Sequence, residues 1–532
     1  MDTSDFDPVY PTEFVARTNK DAASQPPTNE QDFACANRNL LAVPDNSVVP
    51  TRDGKEVAWN FVAFDFTADG ELSPDSVHPA VWRRAVLHSV GTLFQVTAAG
   101  TAQMYQERNG DLANLTVIVG DSGLVVVDPV GSYETARAAL QRYRATREEG
   151  QPAKPVKAIV YTQSGVDHFG GARGLFDGGE VPADLKVFAP EGFLADATLR
   201  HVTQGATTAR LVDYAYGTRL DASPIGLVDS TLGRTVSLGE ATLIPPTDII
   251  GGPLQRPTPE RNWPQETGIA WREGLYALQV AGIWLVFQPT GPVTASPAQM
   301  NLYVPALKTV YLPGPGLLGS SRAAATASPG EAKAAFAAQA QIVAGAYEFP
   351  FWIQYEGDVL SGPSVADHLT ALRDAAATGL DAGPLAGLFT STGYAGTPAR
   401  TVREVWSRLA DTPLRAAELA VSAKTALVAH GGTDKAVAAA RDAYDAATPD
   451  YVRVVDLTDQ VLAASTIPLA VSDKALSAAK DLQVKALTQL AYLAPEGRLR
   501  NACLTAALDV RTFPKAPVLR FPQKVGDLLN LN

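Results

Sequence analysis

Short runs of apolar residues alternate with amphipathic stretches through the first two thirds of the chain. Leu115–Val119 and Leu124–Val127 are β-branched runs joined by a Gly-Asp-Ser-Gly turn, which predicts a hairpin. Ser132–Arg144 carries apolar side chains at helical spacing, and Val156–Thr162 has the composition of a buried strand. Helix and strand in alternation indicate a layered α/β domain. Further predicted strands are Leu93–Ala98, Leu185–Phe188, Ala281–Phe287, Asn301–Val304 and Thr309–Leu312.

Other segments are less regular. Gly170–Leu175 has the composition of a helix start, Gly330–Ala346 predicts a helix, and residues 200–270 are rich in loop-forming residues. Residues 1–50 predict either an arm lying on a neighbouring part or a partly disordered segment. The last ~20 residues predict an extended tail, because prolines recur there.

After about residue 362 the pattern becomes purely helical. Alanine-rich amphipathic segments follow one another, separated by glycine, proline and cap signals, and this is typical of antiparallel helix pairs. The predicted helices are 364–377, 398–410, 413–429, 433–447, 449–464, 471–493 and 496–509.

Charge and composition narrow the class of protein. The 532 residues hold 44 Lys and Arg against 56 Asp and Glu, a net charge of −12. An acidic chain without a basic block argues against binding to nucleic acid or to an anionic membrane surface. Two distant cysteines, Cys35 and Cys503, exclude a disulfide framework, and no apolar run reaches the ~18 residues of a membrane span. The acidic start lacks the apolar region of a signal peptide, so we expect a cytoplasmic protein.

One loop carries candidate chemistry. Thr162–Gly171 (TQSGVDHFGG) follows a buried strand, at the strand end where α/β proteins place functional groups. Asp167 and His168 in this loop are candidates for a metal-ligand pair or an acid–base pair. The alternative is structural, with Asp167 capping a helix beside a packed His168.

Several ordered stretches resemble the alkylsulfatase branch of the metallo-β-lactamase superfamily. These stretches are SPDSVHPAVWRRAVL (73–87), GDLANLTVIVGDSGLVVVDP (110–129), AIVYTQSGVDHFGGARGL (158–175), YAYG (214–217), LIPPTDII (243–250), SPAQMNLYVPALKTVYLPGPG (296–316) and AYLAPEGRLRNACLTAALDVR (491–511). The resemblance covers roughly residues 30–512. It implies a metallo-β-lactamase-like αββα sandwich, followed by an all-α helical dimerisation domain through which the chain forms a homodimer.

The resemblance also implies a domain division. We expect an N-terminal arm and lead-in at 1–84, the metallo-β-lactamase-like domain at 85–360, the helical domain at 361–512 and a tail at 513–532. The family's C-terminal sterol-carrier-like domain is expected to be missing.

The chain departs from the family at its metal ligands. The family's metal loop reads Thr-His-Ser-His-x-Asp-His-x-Gly-Gly, and here Gln163 and Gly165 replace both leading histidines while Asp167 and His168 remain. By the same resemblance, Ala295 and Gly314 stand where the family has two glutamates, and Gln354 where it has a late histidine. Two adjacent donors are too few for a zinc site, which takes three or four. We therefore expect no metal and no other cofactor.

The resemblance implies further pocket residues. Arg322 corresponds to a family arginine that contacts the sulfate group, unless it is a surface residue leading a helix. Tyr214, Tyr216, Asn301 and Tyr303 lie in motifs that line the family's pocket, unless they are ordinary core residues. Gln354 completes the expected substrate-binding set, and Gln163 joins Asp167 and His168 as an expected catalytic residue.

Two functions of different classes follow. The first is a metal-independent enzyme that performs elimination, cyclisation or isomerisation on a small molecule with an apolar portion, like a secondary metabolite, with loss of a sulfate-type leaving group as one form of the reaction. Asp167 and His168 would be its acid–base pair, with Arg322 or Gln163 holding the leaving group. The second is a non-catalytic relative that binds a ligand or acts as a scaffold. A residual sulfate-ester hydrolase is a weaker alternative, because metal-polarised water is the family's nucleophile.

Overall fold

The architecture is taken from a computed structural model. It describes residues 7–24, 37–43, 48–67, 72–89, 91–203, 205–252, 260–265, 274–289, 298–307, 309–311, 313, 352–355, 358–360 and 413–512. The strands are β1 Leu40–Ala42, β2 Val48–Pro50, β3 Val57–Asn60, β4 Leu93–Ala99, β5 Ala102–Glu107, β6 Leu115–Val119, β7 Leu124–Val127, β8 Val156–Val160, β9 Lys186–Pro190, β10 Asp248–Ile250, β11 Tyr276–Val280, β12 Ile283–Pro289, β13 Met300–Val304, β14 Thr309–Tyr311, β15 Trp352–Tyr355 and β16 Asp358–Leu360. The helices are α1 Glu13–Ala23, α2 Pro79–Leu87, α3 Tyr133–Arg147, α4 Phe193–Thr198, α5 Gly205–Tyr216, α6 Pro413–Ala429, α7 Thr433–Asp445, α8 Tyr451–Ala464, α9 Asp473–Leu493 and α10 Gly497–Thr512.

Two sheets form a sandwich. The first has the order β1-β4-β5-β6-β7-β8-β9-β10, and the second runs from β11 to β16 in chain order. The predicted hairpin is present, since β6 pairs antiparallel with β7. From β7 onward the first sheet is parallel, through β8 and β9 to β10. The carboxyl ends of these strands therefore meet at one edge, where the loop after β8 begins.

The sandwich core explains the apolar strand runs. Ile118, Val125 and Val160 of the first sheet pack against Leu285 and Leu302 of the second. On its other face, the first sheet is covered by α3 through Ala136, Ala139 and Leu140. Because β7 and β8 are covered on both faces, their sequences are continuous apolar runs. The helix predicted at Gly330–Ala346 lies outside the described residues.

One local prediction is wrong. Gly170–Leu175 does not open a helix of several turns, because only a single 3₁₀ turn forms at Ala172–Leu175. A Cβ on Gly170 would lie 2.2 Å from the carbonyl oxygen of Gly131, so this stretch is pressed against the turn after β7. The stretch predicted to be rich in loops, 200–270, is loop over residues 217–247, and it also contains the three-turn helix α5.

The C-terminal helices agree closely with the sequence pattern. Predicted helices 413–429, 433–447 and 471–493 correspond to α6, α7 and α9. The helices predicted at 364–377 and 398–410, and the C-terminal tail, lie outside the described residues. The described elements agree with the expected fold class, an α/β sandwich followed by a helical domain.

The N-terminal segment belongs to the helical domain's core. Val15 of α1 is buried among the apolar side chains of α8 and α9. Asn19 donates to the carbonyl oxygens of Asp75 and Tyr492, at 2.9 and 3.0 Å. Residues 7–24 are therefore an ordered arm docked on this chain's own helices.

Candidate active site

The site is organised around Asp128, which directly follows β7 at the carboxyl end of the strand. Its carboxylate accepts hydrogen bonds from the Thr162 backbone amide at 2.8 Å and from the Thr162 hydroxyl at 2.5 Å. The Tyr311 hydroxyl donates to the same carboxylate at 2.7 Å. The backbone of Asp128 and Val130 has positive φ, at 49° and 50°, which is a strained conformation for the β-branched Val130. The hydrogen bonds from Thr162 hold the Asp128 side chain toward the loop after β8.

His168 is the partner of Asp128. Its Nδ1 donates to the Asp128 carboxylate at 2.8 Å, and the ring is fully buried. Its Nε2 contacts the side-chain amide of Gln163 and lies 3.3 Å from the Asp167 carboxylate. Burial opposes protonation, but the charges of Asp128 and Asp167 outweigh it and raise the pKa of His168 well above its ordinary value. The ring is therefore an imidazolium held between two carboxylates.

Asp167 differs from its neighbours in its access to solvent. Its side chain is 21% exposed, whereas those of His168 and Asp128 are fully buried. Burial raises the pKa of Asp167, but the charge and contact of His168 outweigh it, so that the net pKa is lowered. Asp167 is consequently an ionised carboxylate whose side chain is partly open to solvent.

Gly165 lies under the Asp167 carboxylate. A Cβ at position 165 would lie 2.6 Å from Asp167 Oδ1, closer than real Cβ contacts. The Asp167 side chain therefore takes the space that a larger side chain at position 165 would need, and the loop is adapted to glycine there.

The same loop is tied to the next helical segment. The Ser164 hydroxyl donates to Asp196 of α4, and Arg200 pairs with Asp196 at 2.7 Å. These bonds hold α4 and the π-helical turn Leu199–Thr203 against the loop. His201 lies in that turn, buried, with its ring edge-on to Phe169 at 5.8 Å.

Two of the predicted pocket residues, Asn301 and Tyr303, lie on β13, and this strand starts next to the loop after β8. The Met300 amide donates to the Thr162 carbonyl at 2.9 Å, so the start of β13 abuts the loop. Met300, Leu302 and Val304 face the sandwich core, and Asn301 and Tyr303 alternate with them. Asn301 donates to Gln288 at 3.1 Å, and both Asn301 and Tyr303 are buried.

Tyr214 and Tyr216 make their described contacts elsewhere. The Tyr214 hydroxyl donates to Asp509 of α10 at 2.6 Å, and the Tyr216 hydroxyl accepts from Arg498 at 3.1 Å. Both tyrosines thus fix α5 to α10, which accords with the reading as core residues. Their role as pocket residues stays a prediction.

The remaining predicted residues cannot be placed in the site. Arg322, Ala295 and Gly314 lie outside the described residues. Gln354 lies in β15, paired in register with Tyr311 of β14, and only its backbone is described.

Three neighbours of the loop were missed by sequence reasoning, namely Asp128, Tyr311 and His201. Asp128 had a usable signal, since it ends a buried strand next to the strand that leads into the loop. Tyr311 lies 183 residues from Asp128 in the chain, and no local pattern joins them. No motif in the sequence marks His201, which lies in the turn Leu199–Thr203 that Asp196 ties to the loop.

Comparison with known proteins identifies the scaffold. The metallo-β-lactamase superfamily profile matches residues 108–185, and the alkyl sulfatase dimerisation profile matches residues 384–512. A linear primary-alkylsulfatase from Pseudomonas sp. is 29% identical over 91% of this chain and 70% of its own length. This chain therefore carries a metallo-β-lactamase domain and an alkylsulfatase dimerisation domain, and the relatives that it resembles are alkylsulfatases.

Two further relatives agree with this assignment. An (R)-specific secondary-alkylsulfatase from Pseudomonas sp. is 36% identical, over 54% of this chain and 38% of its own length. The solved structure of the stereoselective inverting sec-alkylsulfatase Pisa1 from Pseudomonas sp. has a TM-score of 0.74 and 26% sequence identity, covering 98% of this chain and 81% of that one. The alkylsulfatase scaffold is therefore shared over nearly the whole chain.

The alkylsulfatase branch implies two zinc ions, and the donors present in the described loop do not fit them. Among the described residues, no three His, Cys, Asp or Glu side chains are grouped so as to hold a metal ion. His168 Nε2, which would face a metal, contacts the Gln163 amide instead.

None of the described helices is long and apolar enough to cross a membrane.

Proposed function

We propose that this chain is a metal-independent enzyme on the alkylsulfatase scaffold, with Asp167 and His168 as its acid–base pair. One observation carries the proposal: the His168 ring lies between two carboxylates, of which only Asp167 is partly exposed. Asp167 is then the group that exchanges a proton with substrate. His168 acts through it, as a fixed positive charge that keeps the carboxylate ionised and oriented.

Loss of the dinuclear zinc site is part of this proposal. Gln163 and Gly165 supply no imidazole in the loop, and the Asp167 side chain fills the space above Gly165. An amide is a poor zinc ligand, and two adjacent donors fall short of the three or four that zinc takes. The chain would therefore use proton transfer in place of metal-activated water.

Three related reactions need only such a proton transfer. In an elimination, Asp167 takes a proton from the carbon beside the one that carries the sulfate ester, the C–H electron pair becomes the double bond, and sulfate leaves with the C–O pair. In a cyclisation, Asp167 takes the proton of a hydroxyl within the substrate, whose oxygen bonds to the carbon that sulfate leaves. In an isomerisation, Asp167 takes a proton from the carbon next to a double bond, the C–H electron pair forms a new double bond to the neighbouring carbon, and the old double-bond pair takes the same proton back from Asp167 at the far carbon.

The lowered pKa of Asp167 restricts the substrate. A weak base removes only an acidic proton or requires a good leaving group. We therefore propose an apolar small molecule that carries an activated C–H bond or an internal hydroxyl beside a sulfate-type leaving group. By analogy with the relatives, the chain would work as a homodimer joined through the helical domain.

The test compares substrates and variants under a chelator. Purified protein would be incubated with a secondary octyl sulfate and with a hydroxyalkyl sulfate able to close to a cyclic ether. Mass spectrometry would separate alkene or cyclic ether from alcohol. We expect alkene or ether, and a fall in kcat of about 100-fold or more for Asp167→Asn. The matched control is Asp177→Asn, which removes a carboxylate that is 98% exposed.

Two different results would contradict the proposed function. Alcohol and sulfate as products, with zinc retained in stoichiometric amount, would return the chain to hydrolysis. Equal turnover by Asp167→Asn and the native protein would remove Asp167 from the mechanism.

A non-catalytic binding or scaffolding protein is the second candidate. The observation that favours it is the closure of the polar network, since Asp128, Thr162 and His168 are fully buried and bonded to one another. Ligand binding without turnover, by the native protein and by Asp167→Asn alike, would favour this alternative.

A further inference from the structure

His201 is a buried imidazole that the acid–base pair does not use. Its side chain is 8% exposed, and its Nε2 has no hydrogen-bond partner within the described part of the chain. A buried polar atom without a partner costs about 1–3 kcal/mol, so such atoms call for a functional explanation.

The position of His201 relates it to the candidate active site. It interacts electrostatically with Asp167, Asp196 and Arg200. Its ring packs edge-on against Phe169, the residue that follows His168. The turn that holds it is tied to the catalytic loop through Ser164 and Asp196. The turn that carries His201 is thus fixed against the loop that carries the partly exposed Asp167.

The backbone around His201 is itself unusual. Leu199–Thr203 forms a π-helical turn between α4 and α5. Such turns are rare, occur frequently at functional sites and carry an extra residue in the helical repeat. The turn buries His201, while its neighbours Leu199 and Val202 stay exposed.

The charge state of His201 fits a hydrogen-bonding role. Burial lowers its pKa to about 4, although Asp167 opposes the change. A neutral imidazole presents one donor and one acceptor nitrogen. Near Asp167, it supplies a hydrogen bond without adding charge.

We infer that His201 is a substrate-binding residue, whose Nε2 hydrogen-bonds an oxygen of the substrate's polar head group beside Asp167. The inference rests on the proposed function only in taking this loop to be the substrate site. A sulfate ester and an alcohol share the chemical feature that His201 would recognise, an oxygen on an apolar chain. A protonated Nε2 donates to a sulfate-ester oxygen, and an unprotonated Nε2 accepts from a hydroxyl.

The experiment measures binding rather than turnover. The protein would be labelled with ¹⁵N-histidine and titrated with a secondary octyl sulfate and, separately, with the corresponding alcohol. The His201 ring signals would be assigned by their loss in His201→Asn. The exposed His430 of the helical domain serves as the internal control. We expect one probe to shift the His201 Nε2 signal and to leave His430 unchanged, and the ¹⁵N shift reports which tautomer binds.

A pair of variants separates hydrogen bonding from packing. His201→Phe keeps a ring against Phe169 but removes both nitrogens, and His201→Asn keeps a donor and an acceptor. We expect the Kd of the active probe to rise about tenfold in His201→Phe, the loss of one hydrogen bond, and to rise less in His201→Asn. Unchanged unfolding temperatures would show that both variants fold.

Two results would overturn the inference. One is binding of a probe with equal affinity by the native protein and His201→Phe, without a shift of the His201 signals. The other is failure of both probes to bind the native protein. If His201→Phe loses affinity while Asp167→Asn keeps full turnover, the proposed mechanism fails and the role of His201 stands.

Discussion

Arg500 is a buried cation whose described hydrogen bonds go to backbone carbonyls. It donates to the carbonyl oxygens of Ser76, Pro224 and Gly226, at 2.6, 2.7 and 3.1 Å. Burial lowers its pKa to about 10, so it stays charged at neutral pH. One side chain thereby joins α10 to two loops of the sandwich domain.

Arg500→Lys should destabilise the protein strongly. A lysine cannot reproduce the planar fork that reaches three carbonyls, and hydrogen bonds to a charged group contribute about 1.5–3 kcal/mol each. We expect the free energy of unfolding in urea to fall by about 3 kcal/mol or more. Arg453→Lys, on the exposed face of α8, is the control and should change it by less than about 0.5 kcal/mol. Equal effects of the two substitutions would contradict this role.

Glu107 is a buried acid at the end of β5. Its Oε1 contacts Arg142, and its Oε2 has no hydrogen-bond partner among the described residues. Burial raises the pKa of Glu107 to about 7, even though Arg142 opposes the change. The folded protein therefore keeps this proton at a pH where the unfolded chain has released it.

Stability should fall as the pH rises through this window. The unfolded carboxyl titrates near pH 4.5 and the folded one near pH 7. The free energy of unfolding should thus decrease by up to about 3 kcal/mol between these values. Glu107→Gln should flatten the profile between pH 5 and 8, as followed by urea denaturation, whereas Asp177→Asn should not. A profile for Glu107→Gln as steep as the native one would refute the assignment.

The sequence predicted only part of the site. Asp167 and His168 could be found, because a strand, a loop and an Asp-His pair are adjacent in the chain. The bond between His168 and Asp128 joins residues 40 positions apart and depends on the parallel pairing of β7 with β8. The contacts of Gln163 and His201 depend on side-chain packing, which periodicity does not report.

At the scale of elements, α5 connects the candidate active site to the helical domain. Its start follows the turn that holds His201, and its end is fixed to α10 through Tyr214 and Asp509. Asp509 also pairs with Arg219 at 2.7 Å, and Arg219 pairs with Asp213 at 2.6 Å. Asp509 is the acceptor that holds this junction together.

Asp509→Asn should weaken the junction. The substitution removes the negative charge that pairs with Arg219 and accepts from the Tyr214 hydroxyl. Removing one partner of a largely buried ion pair costs about 3–5 kcal/mol. Since Asp509 is 16% exposed, we expect about 2–3 kcal/mol in urea denaturation. The control is Asp481→Asn, which removes the exposed partner of Lys485. A loss no larger than that of the control would exclude the junction as a source of stability.

The sequence predicted helices well where apolar periodicity and cap residues determine them. Helices α6 to α10 have long apolar periodicity and cap residues, such as Asp450 and Ser472, which accept backbone hydrogen bonds at their N-termini. The first turn of helix α5 (GATTARLVDYAY) contains Gly205, Thr207 and Thr208, which have low helix propensity, and the helix is stabilised by packing against α10. The helix expected at Gly170–Leu175 is cut short by its contact with the turn at Gly131.

The whole molecule should be a dimer in solution. The match to the alkyl sulfatase dimerisation profile motivates this prediction. Light scattering at micromolar concentration should give about 112 kDa, twice the 56.1 kDa of one chain. A mass near that of one chain would contradict it.

Alternating strands and helices indicated the sandwich domain, and an uninterrupted helical pattern indicated the helical domain. How the N-terminal segment docks could not be predicted, since its partners lie far away in the chain. The Thr12 amide donates to Gln489 at 2.9 Å, and the Tyr492 hydroxyl donates to the Val9 carbonyl at 2.6 Å. These contacts span 477 and 483 positions.

This docking has a consequence for synthesis on the ribosome. Helix α1 is translated long before its binding surface on α9, since Thr12 and Gln489 are 477 positions apart. At about 5–20 residues per second, the 477 intervening positions take roughly 25 to 95 seconds to translate. Throughout that interval Val15 lacks the apolar neighbours that bury it in the finished protein. The nascent arm is therefore a candidate client for chaperones that shield Val15 until α8 and α9 have been made.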